Sequence, residues 1–208
     1  VNRNIFHTSF IFVCNESDKR SMKYIAVYCG SALGYDEVFA GEAFKMGQII
    51  AEKRYGIVYG GGHVGLMGEV ANGALSKGGE VIGVIPEFLE KKELNHKGLT
   101  KMYVVETMHE RKAMMCELCD AVIALPGEML TWGQLSIHKK AIGLLNTKNY
   151  YQPLVNMTNT MIENGFLKEE YRNMLQVESD AEKLIQRLED YKAPLNDKWF
   201  QPVATSVK

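Results

Sequence analysis

Short apolar runs alternate with longer stretches whose apolar residues recur every three or four positions, and this rhythm repeats along most of the chain. Tyr24-Ile25-Ala26-Val27-Tyr28-Cys29, Gly56-Ile57-Val58-Tyr59, Val81-Ile82-Gly83-Val84-Ile85-Pro86, residues 102–105, Ala121-Val122-Ile123-Ala124-Leu125 and Ile142-Gly143-Leu144-Leu145-Asn146 are short and rich in buried-type residues, so they predict core strands. The stretches between them predict helices. The first opens at Asp36, a capping residue, and carries Val38, Phe39, Ala43, Met46, Ile49 and Ile50 at near-helical spacing. Further helices are predicted over 66–76, which stops at Lys77-Gly78-Gly79, and over 108–118, 128–140, 151–164 and 181–191. The last of these sets Leu184, Ile185 and Leu188 on one face. Residues 87–100 are polar and irregular and predict a loop that follows a strand end. Strands alternating with helices predict an α/β fold, a Rossmann-like doubly wound parallel sheet with helices on both faces. In such sheets the ligand lies beyond the carboxyl ends of the strands.

That pattern starts at Met22 and fades after residue 192. We therefore expect one Rossmann-like nucleotide-binding domain over 22–192, a leader or extension over 1–21, and a tail over 193–208. The chain carries 24 basic and 25 acidic residues. Such a balance argues against a nucleic-acid partner, which calls for a basic excess. No apolar run approaches a membrane span in length. Four scattered cysteines suit a reduced, cytoplasmic protein instead of a disulfide scaffold. Cys116-Glu117-Leu118-Cys119 lacks a second pair and falls late in a predicted helix, so two core-facing thiols are expected there.

Chemistry concentrates in Val58-Tyr59-Gly60-Gly61-Gly62-His63-Val64-Gly65-Leu66-Met67-Gly68. These glycines occupy a predicted strand-to-helix turn. Their N–H groups can approach an anion closely, and the following helix offers its positive end, which suits a phosphate. Tight packing of helix on strand is the other use for such glycines. Gly60-Gly61-Gly62-His63-Val64-Gly65 also satisfies G-x-G-x-x-G. However, it follows the second strand, and no acidic residue closes the next one, so a nicotinamide cofactor is not expected. A P-loop is excluded because no Gly-Lys-Ser/Thr follows.

Several motifs occur in one order: Tyr28-Cys29-Gly30-Ser31, then Tyr59-Gly60-Gly61-Gly62 with Gly65-Leu66-Met67-Gly68, then Val81 to Pro86. Met108-His109-Glu110-Arg111-Lys112, Ala124-Leu125-Pro126-Gly127 and Leu130-Thr131-Trp132 follow. This set resembles the Lonely Guy family of cytokinin riboside 5′-monophosphate phosphoribohydrolases, formerly labelled lysine decarboxylases. The resemblance runs from residue 23 to residue 178. It implies a homodimer with active sites near the subunit interface. It also implies hydrolysis of a nucleoside 5′-monophosphate to free base and ribose 5-phosphate, without metal or other cofactor. By the same resemblance Arg111 is the catalytic arginine and Lys112 its binding neighbour. Glu93 and Thr131 match substrate-contacting residues, and Gly60, Gly61, Gly62 and Gly127 belong to the phosphate-binding set. A catalytically silent nucleotide-binding or carrier protein of the same fold is the alternative.

Cleaving a base from ribose builds positive charge on the sugar ring. A carboxylate beside that carbon stabilises the charge or activates water, while a cation holds the phosphate or assists the leaving base. The family's mark for this is P-G-G-x-G-T-x-x-E, whose glutamate is catalytic. Here Pro126-Gly127 runs straight into Glu128-Met129-Leu130-Thr131-Trp132, so Glu128 matches a later glutamate and about nine residues of the pattern are absent. His63 is a smaller departure, standing where relatives often carry a small residue. A turn after a strand ending at Leu125 is expected to be glycine-rich. The absent residues are therefore expected to exist in the protein, with Gly127 and Glu128 well separated in space.

Overall fold

A computed structural model covers the chain and describes residues 22–91, 95–127, 140–165 and 169–192. Its seven strands are β1 (Tyr24–Tyr28), β2 (Gly56–Tyr59), β3 (Val81–Pro86), β4 (Lys101–Val105), β5 (Ala121–Ala124), β6 (Ile142–Leu145) and β7 (Leu175–Glu178). All neighbours pair parallel, in the order β4-β3-β2-β1-β5-β6-β7. The described α-helices are α1 (Glu37–Glu52), α2 (Gly65–Ser76), α3 (Glu87–Glu90), α4 (Met108–Leu118), α5 (Gln152–Glu163) and α6 (Ala181–Glu189), with short 3-10 turns at Thr147–Asn149 and Glu169–Met174. The expected parallel α/β sheet is therefore the fold observed.

Alternation along the strands divides the core into two faces. Ile25 and Val27 of β1 pack with α1, α2 and α6 residues such as Met46, Val70 and Leu184. Ala26 and Tyr28 point the other way and pack with Met115 and Cys119 at the end of α4. A third cluster places Tyr151, just ahead of α5, against Ala124 and Leu144. Helices α1 and α2 approach unusually closely: a Cβ on Gly47 would lie 2.1 Å from the Val70 carbonyl oxygen, and one on Gly73 2.0 Å from that of Phe44. Asp36 caps α1 as expected, accepting from the Val38 N–H at 3.0 Å.

The order of strands reverses between β1 and β5, so the crevice belongs above their carboxyl ends. There the two turns touch. The Gly30 N–H donates to the Pro126 carbonyl at 2.9 Å. Gly127 has φ +102°, and a Cβ on it would meet the Gly30 Cα at 2.5 Å. Two expectations need adjustment. Strand β7 was not anticipated, because Leu175-Gln176-Val177-Glu178 is a half-buried edge strand of four residues with a weak apolar signal. Residues 87–100 contain the one-turn helix α3. The leader, the tail, the expected helix over 128–140 and the spacing of Gly127 from Glu128 lie outside the described residues.

Candidate active site

Four segments converge at the carboxyl edge of β1, β2 and β3 around a cleft of about 260 Å³. Strand β1 and its turn contribute Val27, Tyr28, Cys29 and Ser31, and the glycine loop with α2 contributes Gly60, Gly62, Val64 and Met67. Ile85 and Leu89 close a third side, and α4 supplies Met108, Arg111, Lys112 and Met115. Among the described lining residues the charged ones are Arg111 and Lys112, both cationic. The cleft therefore suits an anion attached to a flat or apolar body.

Arg111 lies one turn into α4 and reaches over the ends of two strands. Its Nε donates to the Val84 carbonyl at 3.0 Å and one Nη to the Gly60 carbonyl at 2.8 Å. The thioethers of Met108 and Met67 stand 3.7 and 3.9 Å from the guanidinium nitrogens. Two fixed acceptors and two soft apolar neighbours hold the plane of the cation before any ligand arrives.

The glycine loop behaves in two ways. Gly61 (φ +75°) and Gly65 (φ +62°) take left-handed backbone that other residues adopt at a cost. A Cβ on Gly65 would lie 2.2 Å from the Ser31 backbone, and one on Gly68 2.1 Å from the His63 carbonyl oxygen. Tight packing thus explains those positions. Gly60 and Gly62 line the cleft, whereas a Cβ on Gly61 would point at Met102 and Ile85. At the start of α2 the cap residue Val64 makes no side-chain hydrogen bond to the helix N–H groups. Val64 and Met67 line the cleft, so this end of the helix borders it, and its dipole favours an anion there.

The loop after α3 overhangs this edge. The His96 N–H donates to the Gly61 carbonyl at 2.9 Å, and Gly62 forms a bridge with Asn95. The His96 ring accepts the Gly98 N–H on Nδ1 at 3.1 Å, so its proton sits on Nε2, facing Asn72 Oδ1 at 3.0 Å. Burial, and secondarily His63, pushes this imidazole below its ordinary value. On the far side of the crevice the Gly127 N–H donates to the Tyr150 hydroxyl at 3.3 Å. Tyr150 carried no sequence signal, and Met67 and Met108 stood inside the family motifs with no role of their own read from them. Glu93, Thr131 and Glu128 lie outside the described residues. Cys119 is a buried thiol within the core, and burial pushes it up to about 11, as its expected packing implies. Cys116 is only half-buried and stands outside the core clusters, so the expected pair of core-facing thiols is reduced to one.

The family model described as "Possible lysine decarboxylase" matches residues 67–188, more than half of the chain. Among similar proteins, a cytokinin riboside 5′-monophosphate phosphoribohydrolase of Rhodococcoides fascians is 43% identical over 173 residues, covering 78% of this chain and 87% of that protein. The cytokinin riboside 5′-monophosphate phosphoribohydrolase LOG of Oryza sativa subsp. japonica is 39% identical over 184 residues, covering 84% and 76%. Solved structures include a Moco carrier protein from Chlamydomonas reinhardtii, with a TM-score of 0.62 at 21% identity, covering 81% of this chain and 96% of that one. At that identity the likeness concerns the fold alone. The chain belongs to the possible lysine decarboxylase family, which it shares with these cytokinin riboside 5′-monophosphate phosphoribohydrolases.

Proposed function

We propose that the chain hydrolyses the N-glycosidic bond of adenine-type nucleoside 5′-monophosphates, cytokinin ribotides among them, releasing free base and ribose 5-phosphate. The observation that carries this reading is the Arg111 guanidinium, fixed by two backbone carbonyls in a cationic cleft beside the topological switch point. Family membership supplies the reaction class. The phosphate sits near Lys112, Gly62 and the amino end of α2, where opposite charge and the helix dipole favour it. Arg111 opposes the negative charge that develops on the departing base or on the phosphate. Water attacks the anomeric carbon as the C–N bond breaks; its oxygen stays on the ribose, and the base leaves with a proton. Glu93 and Thr131 complete the substrate contacts, as their match to the family implies. A homodimer in the cytoplasm fits this reading.

One observation favours a second reading, a nucleotide-binding protein without turnover. No carboxylate stands among the described lining residues, and Pro126-Gly127 is followed directly by Glu128, so P-G-G-x-G-T-x-x-E is not present as a run. Incubation of the purified chain with AMP and with a cytokinin ribotide, followed by chromatography, separates the two. Free base from either substrate supports hydrolysis. Tight binding with no base released supports the second reading.

A further inference from the structure

We infer that Gly60 is a positioning residue for Arg111, and that its missing side chain is the seat of the guanidinium. A Cβ on Gly60 would lie 1.6 Å from an Arg111 Nη and 2.7 Å from Cζ. No L-residue fits there while Arg111 keeps its place. The backbone gives no other reason for glycine, because Gly60 is absent from the residues with positive φ, unlike Gly61 and Gly65. Its third near neighbour is the Met67 sulfur at 3.2 Å, the far end of a flexible side chain. The Gly60 carbonyl meanwhile accepts from the same guanidinium at 2.8 Å.

One residue thus both opens the space and supplies an acceptor, and the Val84 carbonyl supplies the other at 3.0 Å. These two backbone acceptors fix the guanidinium plane across the ends of two strands. Added bulk at position 60 would tilt that plane away from the Gly60 carbonyl while leaving the charge in the cleft. The catalytic consequence rests on the proposed hydrolysis; the interlock itself does not.

The test is a double-mutant cycle of Gly60→Ala and Arg111→Ala in the full chain, read by thermal unfolding, by the Arg111 Nε–H resonance in NMR and by turnover of AMP. With Arg111 present, G60A is expected to lower Tm and to shift the Nε–H resonance as the bond to Val84 loosens. It is also expected to lower kcat at least tenfold with a smaller change in KM. In the R111A background, G60A is expected to leave Tm within a degree or two. Equal Tm losses in both backgrounds, or an unmoved Nε–H resonance, would overturn the interlock. If G60A fails to fold alone, folding of G60A/R111A establishes it, and failure of both overturns it. Absence of turnover in the parent with coupling intact refutes the hydrolase reading and leaves the interlock standing.

Discussion

The two ends of α4 each carry or meet a cation, and they use it differently. At the carboxyl end Lys140 Nζ donates to the Cys119 carbonyl at 2.6 Å and also to that of Cys116. A positive charge there matches the helix dipole and satisfies carbonyls that lack partners within the helix. At the amino end the dipole is unfavourable to a cation, and yet Arg111 stands one turn in. The helix has its own support at that end. Thr107 Oγ1 accepts the Glu110 N–H at 3.1 Å, and Glu110 Oε2 accepts the Glu106 N–H at 2.9 Å. Helix stability explains Lys140 and does not explain Arg111. A residue placed against local preference, with the neighbouring backbone arranged to receive it, marks the site.

Replacing each cation sharpens this contrast. Arg111→Ala is expected to reduce turnover by about a hundredfold or more while the far-ultraviolet circular dichroism is unchanged. Arg111→Lys should recover little of it, because one ammonium cannot span the Val84 and Gly60 carbonyls as a planar fork does. Steady-state kinetics on AMP decides both; a fully active lysine variant would reduce Arg111 to a point charge. Lys140→Met should do the opposite. Loss of its charged hydrogen bonds is expected to cost about 1.5–3 kcal/mol in denaturant unfolding, with kcat nearly unchanged.

The sequence made the scaffold of this comparison legible, for physical reasons. Strands β2 and β3 could be bounded to the residue, because a parallel strand buried on both faces is a continuous apolar run flanked by turn residues. Arg111 and Lys112 stood out through a motif and do reach the cleft. The partners of Arg111 did not stand out. Backbone carbonyls carry no side-chain signature, so Val84 and Gly60 became visible as acceptors only in three dimensions. The glycine loop was read mainly as a phosphate cradle, whereas Gly65 and Gly68 are explained by close packing against Ser31 and His63. Edge strand β7, half-buried and four residues long, lacked the uninterrupted run that betrayed the central strands.

A smaller effect tests the overhanging loop. His96 is held below its ordinary 6.5, chiefly by burial. In the window just below 6.5 the unfolded chain therefore binds more protons than the folded one, and stability falls as pH falls. The contribution is whole above 6.5 and declines toward the lower folded value, as Nδ1 can no longer accept the Gly98 N–H. Thermal unfolding between about pH 7 and pH 5 should show a shallower decline in His96→Gln than in the parent. Equal slopes would place the acid sensitivity elsewhere. The smallest effect concerns Cys119, whose thiol at about 11 should label in the folded chain far more slowly at neutral pH than after denaturation.

The central claim is that the Arg111-floored cleft breaks an N-glycosidic bond. Quantifying free base and ribose 5-phosphate together, from a cytokinin ribotide incubated with the parent chain and with Arg111→Ala, tests it most directly. The account predicts the two products in equal amounts from the parent and almost none from the variant. Calorimetric binding of the ribotide by the parent with neither product formed would contradict it.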